Sequence, residues 1–129
     1  MTVKQNLNII FHGLILNTKV IDLYKAYRVT VLPTLHKRFG LVLHEGMSSH
    51  RPIVAIDAVC PHEIVVNSKK GYVAPMEDHD ALAEAVCKLL DNYDFSYRMG
   101  LEGRHLVEER YDWNTIVGQY YRIYEKLAR

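Results

Sequence analysis

The stretch from Val29 to Glu45 constrains the fold most, because it reads as a strand, a loop and a helix start in succession. β-Branched residues and Leu32 run into Pro33, which cannot continue a strand ladder. Gly40 lets the backbone approach a ligand closely. The helix expected to begin about there turns its free N–H groups and its dipole toward the mouth of the loop, where an anion is stabilised. Glu45 follows about one turn later, and a carboxylate at that depth can accept hydrogen bonds from two adjacent hydroxyls. A nucleotide matches this order, with phosphates at the helix start and ribose slightly deeper. An ordinary strand-to-helix turn matches it too.

The flanking segments extend the alternation. Asn8 to Phe11 is a short apolar run stopped by His12-Gly13, the pattern of a strand ending at a turn. Val20, Ile21, Leu23, Tyr24 and Tyr27 recur at helical spacing between about Thr18 and Tyr27. Strand, helix and strand again predict parallel pairing through a crossover. Ile53 to Ile56 is wholly apolar, as a central parallel strand buried on both faces should be. His62 to Val65 read as one helical turn and Gly71 to Ala74 as the last strand. His50 precedes Arg51-Pro52 at a helix end that calls for positive φ.

Beyond Pro75 the pattern is helical. Asp78, Asp94 and Asp112 are the expected caps of three helices. In the last of them Trp113, Ile116, Val117, Tyr120, Tyr121, Tyr124 and Leu127 form a stripe expected to pack against the sheet.

The 129 residues are one domain's worth, and 49% hydrophobic with 24% charged residues is enough for a sizeable core. Sixteen basic residues against 15 acidic ones leave a formal charge of +1, which offers no field for nucleic acid or an acidic membrane. Cys60 and Cys87 are too few for a disulfide framework, which suits a reducing cytoplasm with both thiols buried or idle. No signal segment starts at Met1, and no apolar run approaches the roughly 20 residues that span a bilayer. The seven histidines show no metal-ligand spacing, and Cys60-Pro61-His62 lacks the partner acid of a nucleophile pair.

Several phrases in order are more specific than any one of them: Pro33-Thr34, Phe39-Gly40-Leu41, Glu45-Gly46-Met47, Arg51 to Ala55, Asp57, Glu63-Ile64-Val65, Gly71-Tyr72-Val73 and Tyr111-Asp112-Trp113. Together they resemble the C-terminal, donor-binding half of GT-B glycosyltransferases of the retaining group 1 (family 4-like) family. The resemblance runs from about Asn8 to Leu127. It implies an α/β, Rossmann-like parallel sheet of about four strands with flanking helices and a helical C-terminal cap, half of a GT-B fold. One partial domain over residues 1–129 is expected, N-terminally truncated relative to the family. Two strand-helix units, a basic diphosphate loop and the acceptor-binding domain are the parts expected to be lacking. In a sheet so shortened either the Asn8 strand pairs directly beside Val29 to Leu32 or a second chain fills the gap, so a second copy of the chain or the missing acceptor-binding domain is the expected partner.

The resemblance implies a nucleoside diphosphate sugar as ligand, with no cofactor and no metal, and a donor site drawn from Thr34, Lys37, Phe39, Gly40, Leu41, Val42 and Glu45. Leu41 and Val42 amides would hold the diphosphate and Glu45 the ribose, while Phe39 and Gly40 shape the pocket. The family places a glutamate eight residues before Glu45, where this chain has Lys37. That reverses the charge beside the sugar and puts an ammonium within reach of a phosphate. Val59 and Cys60 replace paired glycines, and His36 and His44 flank the site. Two functions are therefore open: the nucleotide-sugar-binding part of a glycosyltransferase, inactive by itself, or a degenerate, non-catalytic interaction module.

Overall fold

The computed structural model describes residues 8–35, 40–58, 64–65 and 69–128. In chain order they form α1 (Asn17–Ala26), β1 (Thr30–Leu32), α2 (Leu41–Ser48), β2 (Ile53–Ile56), β3 (Gly71–Ala74), α3 (His79–Asp91), α4 (Tyr93–Arg110) and α5 (Trp113–Leu127). The sheet runs β1-β2-β3, all parallel, with Thr30 opposite Ile53 and Ile53 opposite Gly71. Every residue of β2 is buried, which is why it carries no polar side chain. This is the expected α/β, Rossmann-like architecture, with three strands among the described residues in place of about four.

The difference lies at Asn8 to Phe11, which is not a strand. Ile9, Ile10 and Phe11 are exposed, and no described strand runs along the outer edge of β1 to receive them. An apolar run gains strand structure only by pairing, so the pattern by itself was not sufficient.

Two clusters make the core. On one face of the sheet Leu43 and Met47 of α2 meet Leu32, Ile53, Ala55, Ile64, Val65 and Leu106. On the other, Val54 meets Ala85 and Leu89 of α3 and Met99 of α4. A buried side chain of this size contributes about 1.5–3 kcal/mol. Helix α2 lies close to the strands because Gly46 has no side chain. A Cβ there would stand 2.7 Å from Thr30 Oγ1 and 2.9 Å from Ile53 Cδ1. Ile64 and Val65 are helical and buried, as expected of that turn, while His62 and Glu63 lie outside the described residues.

Asp78 and Asp112 cap as expected, accepting from the N–H of Ala81 (2.8 Å) and Asn114 (2.9 Å). The cap of α4 is Asn92 rather than Asp94. Asn92 Oδ1 accepts from Phe95 N–H at 3.0 Å, and Asp94 sits inside the first turn, where its charge suits the helix dipole. The stripe on α5 does not pack against the sheet. That helix buries none of its residues, Trp113, Tyr120, Tyr121, Tyr124 and Leu127 are all exposed, and its main contacts are with α4 rather than with the strands. Cys87 is free and exposed on α3. Among the described residues no helix is long and apolar enough to cross a membrane.

Candidate functional site

Gly40 is the N-cap of α2 and offers no side chain to bond the first turn. Leu43 N–H donates to Gly40 O at 2.9 Å. The amides of Leu41 and Val42 precede it in the first turn and have no partner within the helix, so they stand at the helix start as donors with the positive end of the dipole behind them. Leu41 and Glu45 are four residues apart and therefore share one face of α2. That face forms one wall of a cleft of about 1100 Å³, whose other walls include Tyr24 of α1, Tyr97 and Val107 of α4, and Trp113 of α5.

Glu45 is exposed in the cleft and is held at one end, with Tyr24 Oη donating to its Oε2 at 3.0 Å. Partial burial, then the hydrogen bond and the negative charge of Glu45, push the Tyr24 phenol well above its ordinary range. The backbone of Tyr24 is held as well. Arg51 Nε donates to Tyr24 O at 2.8 Å and Arg51 Nη2 to Lys25 O at 2.9 Å, satisfying carbonyls at the C-terminal end of α1. Arg51 N–H in turn donates to Gly46 O in α2 at 2.9 Å. Tyr24 is thus fastened to α2 through its hydroxyl and, by way of Arg51, through its carbonyl.

His44 is buried beneath this wall. Its Nδ1 lies 3.1 Å from Gly40 O and its ring meets Tyr111 edge-on, with centroids 4.4 Å apart. A carbonyl only accepts, so this nitrogen carries the proton and the imidazole braces the N-cap. His44, expected only to flank the site, supports it from below.

The other expected site residues divide. Gly40 is buried against Leu43 and Leu32, and Leu41 and Glu45 face the cleft. Val42 turns its side chain into a smaller cavity of about 350 Å³ between α1 and β1, leaving only its amide for a ligand. Thr34 is half-buried beyond the end of β1 and does not line the cleft. Lys37, Phe39, His36, Val59 and Cys60 lie outside the described residues. Tyr24, Arg51 and Tyr111 were missed as site residues. Tyr24 is one member of an apolar helical stripe and Arg51 reads as a turn residue, so neither carried a signal of its role. Among the described residues no group of three or more His, Cys, Asp or Glu is placed to hold a metal ion.

The chain is similar in sequence and fold to known proteins. The family model described as "Glycosyl transferases group 1" matches residues 2–92. The chain is 36% identical over 90 residues to a phosphatidyl-myo-inositol mannosyltransferase of Mycobacterium leprae, covering 70% of this chain and 24% of that protein. It is 29% identical to a sucrose-phosphate synthase of Thermosynechococcus elongatus, whose solved structure superposes with a TM-score of 0.75 over 81% of this chain and 26% of that one. The crystal structure of the C-terminal domain of a glycosyl transferase group 1 family protein from Francisella tularensis has the same fold, at 22% identity and a TM-score of 0.72 over 80% of this chain and 53% of that one. The chain spans about a quarter to a third of the length of the curated relatives it matches.

Proposed function

Because the chain belongs to the group 1 glycosyl transferases, we propose that it is the donor-binding part of a sugar-transferring enzyme and that its cleft receives a nucleoside diphosphate sugar. The observation that carries this reading is the placement of Glu45: an exposed carboxylate one turn along from the first-turn amides of Leu41 and Val42, on the face of α2 that it shares with Leu41, above a cleft large enough for a nucleotide. The helix start takes the diphosphate, and Glu45 accepts from the ribose hydroxyls. Gly40 lets the start of α2 pack closely on Leu43 and Leu32, which fixes the helix end that faces the diphosphate. Thr34, Lys37 and Phe39 are assigned to the same site on the family resemblance. In the assembled enzyme the fixed amides stabilise the charge that develops on the leaving diphosphate while an acceptor hydroxyl attacks. The acceptor hydroxyl is presented by a further domain of that enzyme.

Calorimetric titration with UDP, GDP and ADP tests the assignment. At least one should bind, and Glu45→Ala should weaken it roughly tenfold, the loss of charge-assisted hydrogen bonds to the ribose. Absence of binding by all three would refute it.

One observation favours a second reading, a non-catalytic module that pairs with another copy of itself. β1 ends the described sheet, and Ile9, Ile10, Phe11, Leu14 and Leu16 are all exposed in the segment that precedes α1. Under that reading light scattering gives a mass of twice 15.0 kDa and no nucleotide binds.

A further inference from the structure

We propose that Tyr24 is a positioning residue for ribose recognition, its hydroxyl fixing the Glu45 carboxylate in the one orientation that meets the two ribose hydroxyls. The inference rests on the donor-site reading above and adds a residue to it.

A glutamate on the exposed face of a helix ordinarily samples several rotamers, and a ligand that needs one of them must pay for that ordering on binding. Glu45 is ordered in advance. The 3.0 Å bond from Tyr24 Oη occupies one acceptor position on Oε2, leaving Oε1 and the remaining lone pair of Oε2 for a ligand. Tyr24 can perform this only if α1 itself is fixed, and α1 buries no residue of its own against the core. What fixes it is polar: Arg51 binds the carbonyls of Tyr24 and Lys25 while its own N–H is tied to Gly46, one residue beyond Glu45. The carboxylate and the hydroxyl that orients it are therefore referenced to the same turn of α2. The raised phenol agrees with this geometry, since partial burial and the bond to Glu45 both favour the protonated, donating form.

The experiment compares the tightest-binding of UDP, GDP and ADP with its 2′,3′-dideoxy counterpart, on wild type, Tyr24→Phe and Glu45→Ala. Phenylalanine retains the ring in the wall and removes only the donor. The ribo-over-dideoxy preference should fall by roughly fivefold in Tyr24→Phe, as expected for the loss of one fixing hydrogen bond, while affinity for the dideoxy nucleotide stays unchanged. In Glu45→Ala the preference should vanish. Equal weakening of both nucleotides by Tyr24→Phe would make Tyr24 merely structural and overturn the proposal. So would an unchanged preference in Tyr24→Phe beside its loss in Glu45→Ala, a result that leaves the donor-site reading standing. Binding of no nucleotide by wild type would remove both.

Discussion

The carbonyl of His50 lies directly against the Cα of Gly100, so that a side chain on Gly100 would run into the His50 backbone. His50 can present that carbonyl because it has the left-handed conformation, φ 58°, at the end of α2. The helix closes there with two reversed bonds, His50 N–H to Met47 O at 2.9 Å and Arg51 N–H to Gly46 O at 2.9 Å. Arg104 Nη1 takes the carbonyl of Ser48 at 2.7 Å, one of those left over. α2 and α4 are thus joined where one helix ends and the other has no side chains in the way. Since α2 carries the candidate site, this joint determines how steadily it is held.

Gly100→Ala should therefore destabilise the protein by about 1–3 kcal/mol through forced separation of the two helices. Chemical denaturation measures it. A midpoint equal to that of wild type would show that the joint yields without cost.

His50→Gly should act in the opposite direction. A left-handed residue with a side chain costs about 1–2 kcal/mol, partly offset by the greater freedom of glycine when unfolded, so a gain of up to about 1 kcal/mol is expected. The imidazole is exposed at the rim of the cleft, so little packing is lost with it. Thermal unfolding of the two proteins decides it, and a lower melting temperature in His50→Gly would refute it.

The Tyr24–Glu45 pair should appear as alkaline sensitivity. The fold raises the phenol above its unfolded value, so the stabilisation is complete below about pH 10 and is lost as pH rises through the raised value. Denaturation midpoints across that range should fall more steeply for wild type than for Tyr24→Phe. Ultraviolet titration of the nine tyrosines should show a late component that moves to lower pH in Glu45→Gln. Coincident titration in both proteins would mean that Glu45 does not act on Tyr24.

Arg51→Ala should loosen α1 before it loosens the rest. With the carbonyls of Tyr24 and Lys25 released and no residue of α1 buried, amide exchange in residues 17–26 should accelerate by roughly tenfold, while that of β2 barely changes. Uniform acceleration across the chain would indicate global destabilisation instead. Unchanged exchange in α1 would mean that its packing alone is sufficient.

Local chemistry made much of this protein legible before its fold was known. Pro33 stops β1, Asp78 and Asp112 cap helices, His50 occupies the left-handed position, and the unbroken apolar run of Ile53 to Ile56 is the central strand, each because the deciding interactions fall within a few residues in sequence or follow from uniform burial. Gly40, Leu41 and Glu45 belong to the same class, since helical spacing alone puts them at one end and on one face of α2. Tertiary structure decided what depends on a distant partner. Asn8 to Phe11 has strand-like residues but, among the described residues, no strand to pair with, and the aromatic stripe of α5 has the period of a packed helix but is left largely exposed. Tyr24 meets Glu45 only because α1 folds back over α2 across 21 residues, and Arg51 meets the end of α1 across 26 and 27. Periodicity marks which residues are apolar. Where a hydroxyl or a guanidinium points is set by the chain that comes to lie beside it, and that pairing leaves no trace in the spacing of either residue.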